Sequence, residues 1–156
     1  MSEDESAEDL AFMQMALEEA ARAVIVGEVP IAALVVQDSR VLAKAHNSRE
    51  LWQDPTAHAE IIAIRTAATA LSTWRLTDTT LYVTVEPCSM CIGAIILARV
   101  SRVVFGAWDL KAGACGSVFD LPKEPRLNHR VEIVGGLLEA ESQTLLQQFF
   151  RRLRTG

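Results

Sequence analysis

The tightest constraint on how this chain can fold is a pair of short motifs, His58-Ala59-Glu60 and, further along, Pro87-Cys88-Ser89-Met90-Cys91. Cys88 and Cys91 are three positions apart, so on a helix they share one face and can converge on a single ion. A Cys-x-x-Cys by itself leaves three readings open: a redox pair, half of a zinc site, or coincidence. Adding His58 makes two thiolates and one imidazole. That set leaves the fourth tetrahedral position to water, as catalytic zinc requires and structural zinc does not. Two thiolates neutralise the dication formally, so it should acidify water less than a three-histidine site does, and a nearby base is needed. Glu60, two residues beyond His58, is the candidate for that base. The alternatives are a structural zinc site with Glu60 merely solvated, or a dithiol pair beside an unrelated histidine.

The flanking patterns place both motifs at helix starts. Ser6 and Asp9 resemble a capping box ahead of Leu10, Met13, Leu17, Ala20 and Val24, whose helical spacing runs to Gly27. Residues 31–36 and 41–45 read as strands joined by a short connection at 37–40. Thr56 can cap a helix running to about Leu71, with His58 and Glu60 in its first turn. Residues 80–85 form a strand cut off by Glu86-Pro87, and 88–99 form a helix opened by the two cysteines. The dipole at that helix start should bias both thiols toward thiolate. Strands at 102–107 and 130–134 flank a long loop holding Gly113, Gly116, Pro122 and Pro125, and 138–154 is helical. A loop of that length is often functional. The expected architecture is α/β with three layers, a mixed five-stranded sheet covered by helices on both faces, in one domain over residues 1–156.

Composition excludes some settings. The longest apolar stretches, such as 92–98, are far shorter than the roughly 20 residues a spanning helix needs. Three cysteines, two of them too close to staple a fold, argue against a secreted disulfide framework. The acidic start, residues 1–8, is unlike a signal peptide, so the expected location is cytoplasmic. The net charge of -5 argues against nucleic acid only superficially. Residues 1–21 hold seven of the 20 acidic side chains and no Lys or Arg, while the rest holds 15 basic against 13 acidic. Arg151, Arg152 and Arg154 at the far end permit a local basic patch.

Together the two motifs form the H-x-E and P-C-x-x-C pattern of zinc deaminases, and the wider sequence resembles the bacterial tRNA-specific adenosine deaminases within the cytidine deaminase-like fold group. The resemblance covers nearly the whole chain: Glu28-Val29-Pro30, Asn47, 54–60, 80–84, Glu86-Pro87-Cys88, Met90-Cys91, Gly93-Ala94, 102–107, Asp109, Lys111, Gly113-Ala114, Gly116-Ser117, Asn128-His129 and Phe149-Phe150. It implies a zinc-dependent hydrolase converting adenosine to inosine at the wobble position of a tRNA anticodon, with His58, Cys88 and Cys91 on the Zn2+ and Glu60 catalytic. It also implies a homodimer, and an anticodon stem-loop contacted by Asn47, Ala59, Asp109, Lys111, Phe149 and Arg152.

By the same resemblance Asn47 would hydrogen-bond the flipped purine, Asp109 and Lys111 would meet ribose and phosphate, and the segment 149–152 would lie beside the anticodon loop. At least one of Phe149 and Phe150 is expected to pack into the core. Ala32 stands where the family commonly has Gly, and Trp108 where a charged or polar residue is frequent. His46, His129 and Cys115 lie outside the metal motif. A deaminase of a free base or nucleotide remains the rival reading, because the metal chemistry is shared.

Overall fold

The computed structural model describes residues 3–155. Its elements are α1 (Glu3–Ile25), β1 (Ala32–Gln37), β2 (Arg40–His46), a short α2 (Arg49–Trp52), α3 (Ala59–Leu71), β3 (Thr80–Val85), α4 (Ser89–Leu97), β4 (Arg102–Ala107), a 3-10 turn at Leu121–Lys123, β5 (Glu132–Val134) and α5 (Glu139–Thr155). The sheet order is β2-β1-β3-β4-β5. β1 is antiparallel to β2 and β3, whereas β3, β4 and β5 run parallel. β2 therefore points the same way as β3 and β4. Their C-terminal ends, His46, Val85 and Ala107, fall along one edge of the sheet, and the chain leaves that edge three times.

This is the expected three-layer α/β fold with a mixed five-stranded sheet. Strand alternation divides the interior into two cores. Ala33, Val35, Leu81, Val83, Val103 and Phe105 pack toward α3 and α4, while Leu34, Val36, Tyr82 and Val104 pack toward α1. The β1–β2 hairpin turns on Asp38 and Ser39 alone, with φ of 50° and 61° and Gln37 paired to Arg40. Two left-handed residues give the turn whose twist matches that of the strands, and Asp tolerates this conformation better than most residues.

Three local expectations are corrected. Ser6 lies inside α1, which starts upstream of it, and Asp9 is not a capping residue. The Asp9 carboxylate is 3% exposed; it accepts from the Tyr82 hydroxyl at 2.7 Å and from the Arg102 guanidinium at 2.8 Å. The buried stripe of α1 is accordingly Asp9, Phe12, Met13, Ala16, Ala20 and Ala23, and Leu10 faces outward. Thr56 does not cap α3. Its N–H and hydroxyl both donate to Asp54 Oδ1, at 2.8 and 2.7 Å, which closes an Asx turn and delays the helix until Ala59. The strand expected at 130–134 is shorter, beginning at Glu132.

Candidate active site

The three departures from the sheet edge supply the site. After β2 comes Asn47, after β3 comes Glu86-Pro87-Cys88, and after β4 comes the loop 108–117. In open α/β sheets the C-terminal ends of parallel strands are where ligand crevices form. α3 and α4 both begin here, with His58 and Cys88 at their N-cap positions in extended conformation (φ -75° for each). Pro87 reinforces the break, because it pushes Glu86 away from helical geometry.

The two helix starts bring three donors together. His58 Nδ1 lies 3.7 Å from Cys88 Sγ and 3.4 Å from Cys91 Sγ, and all three ligand atoms lie within 4.8 Å of one another. A tetrahedral zinc with its usual bonds to nitrogen and sulfur would separate an imidazole nitrogen from a thiolate sulfur by about 3.6 Å. The donor set thus fits that ion in both chemistry and spacing. The thiols carry a second indication. Cys88 is drawn down to about 4, first by the hydrogen bond from Cys91 and then, against burial, by the one to His58. Cys91 is pushed up by the same bond to Cys88 and by burial. The Cys91 backbone N–H at the start of α4 also lowers Cys88, as expected at a helix N-terminus, whereas Cys91 moves the other way. Two thiols this close ionise together only beside a cation.

Glu60 is outside the donor cluster but in the same cleft, 4% exposed. Burial pushes its carboxyl up to about 7. A carboxyl poised near neutrality is suited to carry a proton in both directions. The cleft has a volume of about 540 Å³ and is lined by Asn47, Arg49, His58, Glu60, Glu86 and Cys88, with Trp108, Asp109, Lys111 and Phe150 among its other walls. A larger hollow, about 750 Å³, lies between α1 and α5, and its lining includes Glu18 and Glu141 but no His or Cys.

The expected contact residues divide. Asn47 lines the cleft, and its Oδ1 accepts from the Ala59 N–H at 2.8 Å, tying the end of β2 to the first turn of α3. That bond engages the oxygen, so the amide NH2 is what Asn47 offers a ligand. Ala59 is fully buried in the core and its N–H is already used, so it does not reach the cleft. Asp109 and Lys111 do line it, but Asp109 Oδ1 accepts from the N–H groups of Lys111 and Ala112, at 3.0 and 3.1 Å, and so shapes its own loop. Phe149 is 8% exposed and, with Arg152, lines a small hollow against Ala21 and Val24 of α1. Of the two phenylalanines, Phe150 is the one in the cleft. Of the departures, Trp108 lines the cleft and meets Phe105 edge-on at 4.7 Å, while Ala32 is fully buried and donates its N–H to Thr84 Oγ1.

Two residues of the site are given no role by the sequence. Arg49 brings a cation to the cleft from the unforeseen α2. Glu86 is 3% exposed and accepts from the N–H groups of Asp109, Cys115 and Ser117. Its partners lie 23 to 31 positions away, so no local spacing marks its role.

An imidazole and two thiols at paired helix starts, with a buried carboxyl beside them, define the class of metal-dependent deaminases. Residues 7–154 match the MafB19-like deaminase family. A tRNA-specific adenosine deaminase of Bacillus subtilis (strain 168) is 50% identical over 147 residues, which span 94% of this chain and 91% of that protein. A structure solved in work on A-to-I editing by tRNA A34 deaminases at the wobble position is 45% identical with a TM-score of 0.84, covering 87% of this chain and 99% of its own. The guanine deaminase of Bacillus subtilis is more distant, 29% identical with a TM-score of 0.64, over 100% of this chain and 96% of its own. The chain belongs to the family of tRNA-specific adenosine deaminases.

Proposed function

We propose that this protein hydrolyses wobble adenosine in a tRNA anticodon to inosine and releases ammonia, using zinc held by His58, Cys88 and Cys91. The observation that carries the reading is the buried Glu60 carboxyl beside three converging soft donors on the wall of a cleft of about 540 Å³. The higher identity to the tRNA enzymes than to the guanine deaminase favours adenosine in RNA over a free base.

Zinc, when bound, polarises a water molecule and lowers its pKa toward neutrality. Glu60 takes one proton from the water that adds to the amino-bearing ring carbon and gives it to the ring nitrogen, then carries the remaining hydroxyl proton to the departing nitrogen. A C–O bond forms, the C–N bond breaks, and ammonia leaves. The Asn47 amide NH2 orients the purine, and the rings of Trp108 and Phe150 offer apolar surface beside it. The cleft suits a single nucleotide turned out of its stack rather than a paired base. Arg49 and Lys111 supply cations for the backbone.

The chain is read as a single deaminase unit acting in the cytoplasm as a homodimer. Apolar side chains exposed on α2 and α4, Leu51, Trp52 and Leu97, support the dimer, which light scattering tests directly. No helix among the described residues is long and apolar enough to cross a membrane.

The decisive test offers an anticodon stem-loop with wobble adenosine, free adenosine, guanine and cytidine in parallel, scoring inosine and ammonia, with Glu60→Ala as control. Inosine at the wobble position alone, lost in the variant, is the expected result. Turnover of guanine or another free base would overturn the substrate.

A further inference from the structure

The loop that forms one wall of the cleft is held by a single buried carboxylate. Glu86 Oε1 accepts from the Asp109 N–H at 3.0 Å and from the Ser117 hydroxyl, and Oε2 accepts from the N–H groups of Cys115 and Ser117 at 3.0 and 3.1 Å. The loop is also pinned to the metal-ligand segment directly: Ala114 N–H donates to the Pro87 carbonyl at 2.9 Å, and Gly113 bridges to Cys88. Gly113 lets the carboxylate in, because a Cβ there would collide with it. Both ends of the loop, 109 and 117, thus close onto one side chain two residues before Cys88.

We propose that Glu86 is a positioning residue that sets the substrate wall of the cleft, holding 109–112 at a fixed distance from the segment that carries Cys88. The inference rests on the proposed RNA substrate. Its physical basis is that three N–H donors converge on one group, and only a carboxylate offers acceptors on both arms. Glutamine at this place would turn an NH2 toward either the Asp109 N–H or the Cys115 and Ser117 pair, donor against donor. Losing bonds to a buried charged acceptor is costly, so the loop would move rather than keep them unmade.

The test compares wild-type protein with Glu86→Gln, Ser117→Ala and Gly113→Ala by steady-state kinetics on the anticodon stem-loop, by zinc content, and by amide exchange over 109–117. Wild-type turnover of the stem-loop is the separate check on the substrate itself. For Glu86→Gln the expected result is a KM raised about tenfold with kcat within about threefold of wild type. Zinc stays bound, and amides 109, 115 and 117 exchange faster. Gly113→Ala should match it, and the double variant should be no worse than either single one, because both act on the same contact. Ser117→Ala, which removes one bond and leaves the fold intact, should raise KM by a smaller factor. Faster loop exchange with KM unchanged would overturn the proposal, as would loss of zinc or of kcat with KM preserved. Should Glu86→Gln fail to fold, an unaltered KM in both remaining variants would overturn it equally.

Discussion

Asn47 shows how one side chain can serve both stability and recognition. Its oxygen satisfies the first N–H of α3, which is buried, and that helix turn carries His58 and Glu60 on either side of Ala59. Asn47→Ala strands that N–H, so unfolding free energy should fall by about 1–3 kcal/mol in denaturant titration. Asn47→Asp keeps the acceptor and removes the NH2. It should recover most of the stability while kcat/KM for the stem-loop stays more than about tenfold down, which separates the two roles. Cys91 permits a cleaner test. Cys91→Ser withdraws a soft donor from a three-donor set, and elemental analysis should find the zinc content falling from about one ion per chain to a small fraction.

At the scale of elements, α1 is fastened to the sheet by the Asp9, Arg102 and Tyr82 network. Burial alone would raise the Asp9 carboxyl, but the hydrogen bonds from Arg102 and Tyr82 and the charge of Arg102 outweigh it and hold it below the usual carboxylate range. A group lowered in the folded state contributes stability that is complete above its unfolded value, near 4, and is lost as pH falls through the folded value. Wild-type stability should therefore decline on acidification below about pH 5, and Asp9→Asn should flatten that decline. At neutral pH the same variant should cost about 3 kcal/mol, because Arg102, only 15% exposed, keeps just the longer ion pair to Glu132 at 3.6 Å. This network was illegible in the sequence, where Asp9 read as a capping residue, since its partners lie 73 and 93 positions away. The strands and long helices were legible because their periodicity is local, and the donor cluster because its ligands sit at helix starts. Phe149 packs inward, as expected of at least one of the adjacent rings, but it is Phe150 and not Phe149 that reaches the cleft, for a geometric reason. Adjacent helical residues point about 100° apart, so a shift of one position decides which ring is buried and which faces the cleft.

Charge is distributed over the whole molecule in a way that bears on RNA binding. The net charge is -5, yet the acidic side chains concentrate in the first 21 residues, most of which form α1. Arg152 reaches toward α1, beside Ala21 and Val24, while Arg49 and Lys111 line the cleft itself. Each cation that meets a phosphate releases counterions, so the logarithm of kcat/KM for the stem-loop should fall linearly with the logarithm of salt concentration. Lys111→Ala and Arg49→Ala should each flatten that slope by about 0.7–0.9, the contribution of one phosphate contact. Arg152→Ala should leave the slope unchanged, although the resemblance to the tRNA enzymes places it among the RNA contacts. The arginine lies, exposed, on the α1 side of α5, whereas the face bearing Leu146 and Phe150 looks into the cleft. A slope flattened by Arg152→Ala as much as by Lys111→Ala would mean that the RNA crosses α5 and descends toward α1. The acidic helix would then repel the backbone along that path, and substitutions of Glu18 or Glu141 would raise kcat/KM at low salt.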